Sequence, residues 1–261
     1  MKKKSDVLLI LPSLLGFAAF LIIPFVYSFY YAFTESAFSH KFVWFKNFKM
    51  LIENEYFRLA FKNTMTFTAV TVPLIMVLSV VVSMVLVQYA MKLPIVRSAL
   101  FLPVLLPSAA IVMFWQAYFN DMQPFQSLVL FFLWKYAGLN IMLIMTALLT
   151  VPKETLESAQ LDGAGIVRRT WSLILPQISP TLFFTFILSV VNSLKIFKES
   201  YLLYGSYPDE SVYMLQNYLN NHFEKLNYQN ISTAAIFFAV IVYVIVGVIF
   251  AVETRISRRM W

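Results

Sequence analysis

Residues 151–180 read VPKETLESAQLDGAGIVRRTWSLILPQISP, a long polar segment with a fixed internal pattern between two apolar runs. Pro152 suits the first turn of a helix, because the amide hydrogen that proline lacks has no partner there. Asp162–Gly163 is a turn signal, since glycine adopts a positive φ at little cost. A second short helix is predicted over about 164–172, and Leu175–Pro176 ends it. The stretch therefore predicts a helix–turn–helix outside the bilayer, joined at both ends to membrane spans.

The order of residues in this stretch resembles the EAA loop of ABC-transporter permease subunits. That loop has Glu-Ala-Ala, three residues, a glycine, nine residues, then Ile-x-Leu-Pro. Here ESA at 157–159 is followed at the same spacing by Gly163, Leu173 and Leu175–Pro176, with Ser158 in place of the first alanine. The run VPKETLESAQLDGA is similar to the loop of the carbohydrate branch, which includes maltose, oligosaccharide and glycerol-phosphate permeases. The alternative is an amphipathic cytosolic loop without a partner. It is disfavoured because it gives no reason for so many positions to match the pattern of the EAA loop.

The resemblance implies that this loop couples an ATPase to the membrane part, with residues 153–163 as the coupling helix. The residues it assigns to coupling are Glu154, Glu157, Ser158, Ala159, Asp162, Gly163, Ala164, Leu175 and Pro176. It also implies partners: a second permease subunit forming a heterodimer, two copies of an ATPase subunit, and an extracytoplasmic solute-binding protein. ATP and Mg²⁺ are expected at the ATPase subunits, and no cofactor is expected on this chain.

Composition places the chain in the membrane by an independent route. Of its 261 residues, 60% are hydrophobic and 13% are charged, whereas globular domains have roughly 25% charged residues. The chain has no cysteine, so disulfide and thiol chemistry are excluded. The net charge of +7 does not indicate nucleic acid, because basic residues in so apolar a chain mostly set topology. The lipid bilayer is the expected environment.

Apolar runs predict an all-α fold with six membrane helices in a single transmembrane domain over 1–261, which the resemblance implies is a permease domain. The expected spans cover about 7–33, 62–89, 98–119, 126–150, 178–197 and 230–252, and the coupling loop covers 151–177. The first run is too long for the 7–15-residue core of a signal peptide. Pro103 and Pro107 allow local unwinding of the third span. Residues 198–229 are expected to form a polar, Tyr-rich external loop.

The distribution of Lys and Arg predicts the orientation. With the N-terminus inside, the inner segments carry eleven of the 20 basic residues and the outer segments carry seven. Positive residues favour the cytoplasmic side, so both termini and the 151–177 loop are expected in the cytosol. Together with the resemblance, this predicts a multi-pass protein of the bacterial or archaeal cytoplasmic membrane.

Polar residues within the spans are the candidates for a substrate path. Asn140 lies near the middle of the fourth span, Ser189 and Asn192 share a face of the fifth, and Trp115 and Gln116 lie toward the outer end of the third. Amides and hydroxyls bond sugar hydroxyls, and aromatic rings cover apolar sugar faces. The alternative is that these groups hold helices together, as Ser, Thr and Asn often do.

The resulting functional hypothesis is a non-catalytic permease subunit of an ATP-driven importer for a carbohydrate, an oligosaccharide in the first instance. The chain has no GxxxxGK[ST] loop, Gly-x-Ser-x-Gly elbow or Cys/His cluster, which excludes the usual ATPase, hydrolase and zinc motifs. One alternative substrate is a phosphate ester such as glycerol phosphate, for which Lys195 is a candidate contact. A secondary transporter or channel working without ATP is disfavoured, because no expected span has a carboxylate near its middle. An intramembrane enzyme lacks a catalytic cluster.

Overall fold

A computed structural model describes residues 2–36, 41–89, 94–119 and 121–260, and its regular elements there are all helices. This confirms the predicted all-α fold. The α-helices are α1 Lys2–Phe17, α2 Ile23–Ala32, α3 Lys46–Glu53, α4 Glu55–Tyr89, α5 Pro94–Leu105, α6 Ser108–Phe119, α7 Pro124–Leu148, α8 Lys153–Leu161, α9 Ile166–Arg169, α10 Leu175–Gln177, α11 Ser179–Leu194, α12 Phe197–Tyr204, α13 Leu215–Glu224 and α14 Tyr228–Met260. Short π-helices join α1 to α2 at Ala18–Ile22 and α9 to α10 at Thr170–Ile174, and a 3₁₀ turn covers Glu210–Val212.

Five helical segments of the described residues are long and apolar enough to cross a membrane. They are Ile10–Ala32, Glu55–Val87, Pro124–Leu148, Ser179–Tyr204 and Tyr228–Ala251. A sixth exists only if α5 and α6 together count as one broken span. The count of five to six agrees with the six spans expected from the sequence.

The expected third span, 98–119, is not one helix. The chain bends by 101° between Ser98–Leu105 and Ser108–Phe119. Pro107 has no amide hydrogen to continue the α5 ladder, and it disfavours helical geometry at Leu106. The proline therefore ends one helix, while its carbonyl accepts a hydrogen bond from the Ile111 amide at the start of the next.

The expected external loop 198–229 also needs correction at its start. Helix α12 follows α11 after a single turn, and the two together form the membrane-length segment Ser179–Tyr204. Lys198 and Glu199 made this stretch look polar, but Glu199 is 3% exposed because an internal partner offsets its charge. Farther along, the 3₁₀ turn and α13 occupy much of the remaining loop.

The chain divides into two compact units. Unit 1 comprises residues 1–59 and 218–244. Its described side chains include a group of edge-to-face aromatic rings, with Phe57 packed at centroid distances of 5.5 Å from Tyr218 and 5.6 Å from Phe237. Tyr31 stacks on Tyr228 in the same unit. Aromatic packing therefore joins the two sequence segments of unit 1.

Unit 2 comprises residues 60–217 and 245–261, and α7 is its central helix. Leu128, Phe131 and Phe132 of α7 are fully buried, as suits a helix that is apolar around its whole circumference. Phe67 of α4 meets Phe132 edge to face at 5.7 Å. The Ser83 hydroxyl donates to the Ile141 carbonyl at 2.9 Å, adding a polar contact between α4 and α7.

Candidate functional site

The polar loop after α7 folds as the predicted helix–turn–helix. Helix α8 ends at Leu161, and Gly163 has φ +79°, a conformation that glycine adopts without a side-chain penalty. The Ala164 amide donates to the Ala159 carbonyl and the Gly163 amide to the Gln160 carbonyl, at 2.9 and 3.1 Å. These two bonds form a Schellman motif, which satisfies carbonyls at the helix end. The turn predicted from Asp162–Gly163 is therefore present.

The second half of the loop is less regular than predicted. The expected helix over about 164–172 is instead α9, only four residues long, followed by the π-helix that leads into α10. The Arg169 guanidinium donates to the Gln160 side-chain carbonyl at 2.8 Å and joins the two halves of the loop. Leu175 and Pro176 lie half-buried where α10 begins. The sequence gives no sign of the Arg169–Gln160 bond, because both residues are of types that commonly face solvent.

One face of α8 packs on the membrane part and the other is exposed. Leu156 packs on a small apolar cluster of Ile144, Val151 and Ile178. Among the residues assigned to coupling, Glu154, Glu157, Ser158, Asp162 and Gly163 are exposed, and Ala159 and Ala164 are half-buried. The loop is thus held at a fixed place while its acidic side chains remain available to a partner.

Large apolar side chains of the loop are also exposed, which the sequence analysis did not single out. Leu161 is 89% exposed, and the others are Ile166, Val167 and Trp171. A group of exposed apolar residues outside the membrane-length helices is typical of a protein–protein contact surface. The occurrence of these large apolar residues within an otherwise polar segment was the feature of the sequence that could have predicted a contact surface here.

The structure brings two of the candidate substrate-path residues together. The Asn140 amide nitrogen donates to the Ser189 hydroxyl at 2.7 Å, and the Ser189 hydroxyl donates to the Thr185 carbonyl at 2.8 Å. Asn140 and Ser189 are each 1% exposed. Their polar groups therefore bond each other between α7 and α11, the arrangement expected of a helix–helix contact. Asn192, one turn farther along α11, is half-buried.

The other two candidates lie on α6. The Trp115 indole nitrogen donates to the Ser127 hydroxyl at 2.8 Å, and the ring stacks on Phe119. Gln116 is exposed and its amide donates to the Leu203 carbonyl at 3.2 Å. Both border a small cavity of about 90 Å³ that Tyr204 also lines. Four of the five candidates therefore form two separate pairs, Asn140 with Ser189 between α7 and α11 and Trp115 with Gln116 beside α12.

Sequence reasoning missed a buried ion pair. The Lys135 ammonium of α7 donates to the Glu199 carboxylate of α12, and the two side chains are 8% and 4% exposed. The Ser108 hydroxyl, at the start of α6, donates to the same carboxylate oxygen at 3.2 Å and accepts from Lys135 at 3.2 Å. A lysine inside an apolar helix signals an internal partner. Sequence alone does not identify that partner, because Glu199 is 64 residues away.

Two titratable groups outside the membrane-length helices have displaced pKa values. Hydrogen bonds from the Ser211 hydroxyl and amide lower the pKa of Asp209. Burial lowers the pKa of His222, and the nearby positive charge of Lys225 adds to the effect.

The described residues contain no group of three or more His, Cys, Asp or Glu side chains arranged to hold a metal ion.

Comparison with protein families and curated proteins gives concordant matches. The model of the family described as "Binding-protein-dependent transport system inner membrane component" matches residues 94–261. The sn-glycerol-3-phosphate transport system permease protein UgpA of Yersinia pestis is 28% identical over 210 residues, covering 70% of this chain and 71% of the relative. The arabinooligosaccharides transport system permease protein AraP of Bacillus subtilis is 25% identical over 232 residues, covering 78% and 73%.

Solved structures match over nearly the whole chain. A chain from the crystal structure of a bacterial ABC transporter involved in the import of the acidic polysaccharide alginate has a TM-score of 0.80 at 22% identity, with 97% of each chain covered. A structure of the bacterial alginate transporter in complex with alginate pentasaccharide-bound periplasmic protein gives a TM-score of 0.78 at 24% identity. At these identities the likeness concerns the fold.

Proposed function

The chain belongs to the family of inner membrane components of binding-protein-dependent transport systems and is a permease subunit of an ABC importer, and we propose that its solute is a carbohydrate, specifically an oligosaccharide. Relatives named for arabinooligosaccharide and multiple sugar transport support this choice. The polar side chains considered for the path are amide, hydroxyl and indole groups, which suit a neutral polyhydroxyl solute.

A phosphate ester is the second candidate solute. Relatives named for sn-glycerol-3-phosphate transport favour it. In the structure, Lys135 is paired with Glu199, whereas Lys195 is exposed at the end of α11. An exposed ammonium there can attract a phosphate as a point charge. Lys195 is the residue on which this alternative depends.

The observation that carries the mechanism is that one face of α8 is packed and the opposite face is exposed. We propose that α8 and the Gly163 turn couple this subunit to an ATPase subunit, which binds ATP and Mg²⁺. Leu156 fixes the helix to the membrane part, while Glu157 and the exposed apolar residues Leu161 and Trp171 face outward. A charge-assisted bond from a basic groove to Glu157 would give direction to the contact.

The remaining proposal concerns the assembly. It consists of this chain, a second and different permease subunit, two ATPase copies and an extracytoplasmic solute-binding protein, with both termini of this chain in the cytosol. Within this assembly the segment Ile10–Ala32 offers an apolar surface to lipid or to the second permease subunit, since none of its described side chains in the most apolar window is buried. Such a segment needs lipid or another apolar chain around it. In the completed path, Asn192 and Gln116 would contact solute, and Trp115 and the Asn140–Ser189 pair would shape the surroundings.

The test is reconstitution of the purified complex into proteoliposomes with its solute-binding protein. We expect ATP-dependent uptake of arabino-oligosaccharides and none of sn-glycerol 3-phosphate. Uptake of the phosphate ester alone would favour the second solute, and uptake without ATP would contradict the transporter class. Glu157→Lys should abolish stimulation of ATP hydrolysis by loaded binding protein. Glu210→Lys makes the same charge change at an exposed residue outside the loop and should not.

A further inference from the structure

The Lys135–Glu199 ion pair lies at an unusual depth. Lys135 is near the middle of the 25-residue apolar helix α7, and α12 belongs to the membrane-length segment Ser179–Tyr204. Ionisable residues inside membrane segments are costly, and they occur where a partner or a function requires them. Glu199 supplies the partner. The pair still needs a reason to be there, because well-packed apolar side chains often stabilise such a position equally well.

The third member of this cluster, Ser108, suggests the reason. It is the first residue of α6, directly after the 101° break at Pro107. Since no continuous helical ladder connects α5 to α6, the backbone alone does not fix the direction of α6. Side-chain contacts have to do so. The Ser108 hydroxyl bonds both members of the ion pair and so attaches the free end of α6 to α7 and α12.

Further bonds hold α12 along its length. The exposed Gln116 side chain of α6 donates to the Leu203 carbonyl at 3.2 Å, and the Tyr204 hydroxyl donates to the Pro124 carbonyl at 3.2 Å. The Lys135–Glu199 pair and Ser108 join the middle of α7 to the start of α12 and the start of α6. The Gln116 bond joins the C-terminal half of α6 to the far end of α12, and the Tyr204 bond joins that end of α12 to the N-terminal end of α7. The three helices therefore share polar contacts at three separate places.

We propose that Ser108, Lys135 and Glu199, the polar triad, are positioning residues that hold α6, α7 and α12 as one rigid body during the transport cycle. The direction of α6 sets where Trp115 and Gln116 lie, so loss of the triad would misplace that border of the path. The coupling loop follows directly on α7, so a rigid α7 also transmits its movement to α6 and α12. This inference rests on the proposed function.

The experiment uses the reconstituted complex and compares variants that remove or restore the charge pair. The double variant Lys135→Met/Glu199→Met leaves no unpaired buried charge and should assemble with normal ATP hydrolysis in the absence of binding protein. Its ATP-dependent uptake should fall by about tenfold, a size typical of coupling between two sites. The charge swap Lys135→Glu/Glu199→Lys should recover most of the uptake, because the Ser108 hydroxyl can both donate and accept.

Wild-type uptake by the double Met variant would overturn the proposal, because the pair would then only fill space. If that variant does not assemble, Ser108→Ala decides: reduced uptake with intact assembly supports the triad, and unchanged uptake rejects it. Ser206→Ala changes a half-buried serine after α12 that lies outside the triad; it is the matched control and should transport normally. Failure of the triad proposal can be told from failure of the proposed function, because in the second case the wild-type complex itself would show no ATP-dependent uptake.

Discussion

Gly138 of α7 lies so close to Leu100 of α5 that a Cβ atom on the glycine would be 1.7 Å from the Leu100 carbonyl oxygen. The obstacle is backbone, so rotation of a side chain cannot relieve it. Gly138 lies within helix α7, where glycine is otherwise unfavourable. The close approach of α5 to α7 therefore depends on the absence of a side chain at this position.

The first prediction concerns this contact. Gly138→Ala should lower the free energy of unfolding by about 1–3 kcal/mol, because α5 has to move away from α7. Gly247→Ala is the control, since Gly247 also lies within a helix but has open space around its Cβ position. It should be neutral or slightly stabilising because alanine favours helix. Melting temperatures of the purified complexes measure both, and equal values for the two variants would contradict the close-contact argument.

The sequence predicted the local features well because neighbouring residues determine them. The Asp162–Gly163 turn and the apolar spans follow from local chemistry, and the structure contains both. The break before Ser108 was harder to predict from sequence. A proline can either kink a membrane helix or end it, and tertiary packing decides between the two. Pairing of Lys135 with Glu199 depends on tertiary structure, so the carboxylate was assigned to an external loop.

The second prediction tests whether coupling depends on the backbone conformation at Gly163 and not on the space around the glycines of the loop. A Cβ atom added at Gly163 or at Gly165 would meet no atom of a more distant residue within 4 Å, so both positions have space for a methyl group. Of the two glycines, only Gly163 has a positive φ. Gly163→Ala should therefore strain the turn by about 1–2 kcal/mol and reduce the stimulation of ATP hydrolysis by loaded binding protein. Gly165→Ala should have little effect on that stimulation. Equal stimulation in the two variants would show that the turn conformation is not needed for coupling.

The third prediction distinguishes solute contact from helix contact. Asn140→Leu removes the donor to Ser189 and should lower the free energy of unfolding by about 0.5–2 kcal/mol. Asn192→Leu changes a half-buried side chain and should lower uptake while leaving the melting temperature and the bound ATPase subunits unchanged. Uptake is measured over a range of solute concentrations. Normal uptake by Asn192→Leu at every concentration would remove this residue from the path.

The last prediction concerns pH and His222. Burial lowers the pKa of His222 from its ordinary value of 6.5, and Lys225 lowers it further. The unfolded chain therefore binds more protons than the folded one between the lowered pKa and 6.5. Stability contributed by the neutral imidazole is present above pH 6.5 and is lost as the pH falls through this range.

Substitution by a side chain that does not titrate should remove this dependence. His222→Gln is suitable because an amide keeps polar groups in the place of the imidazole. On acidification from about pH 7.5 to about pH 5.5, a range in which an ordinary histidine titrates, the melting temperature of the wild-type complex should fall more than that of the variant. The other groups titrate in both proteins, so the difference between the two isolates His222. If the two melting temperatures fall in parallel, the folded and unfolded pKa values of His222 are the same and its burial has no effect on its charge.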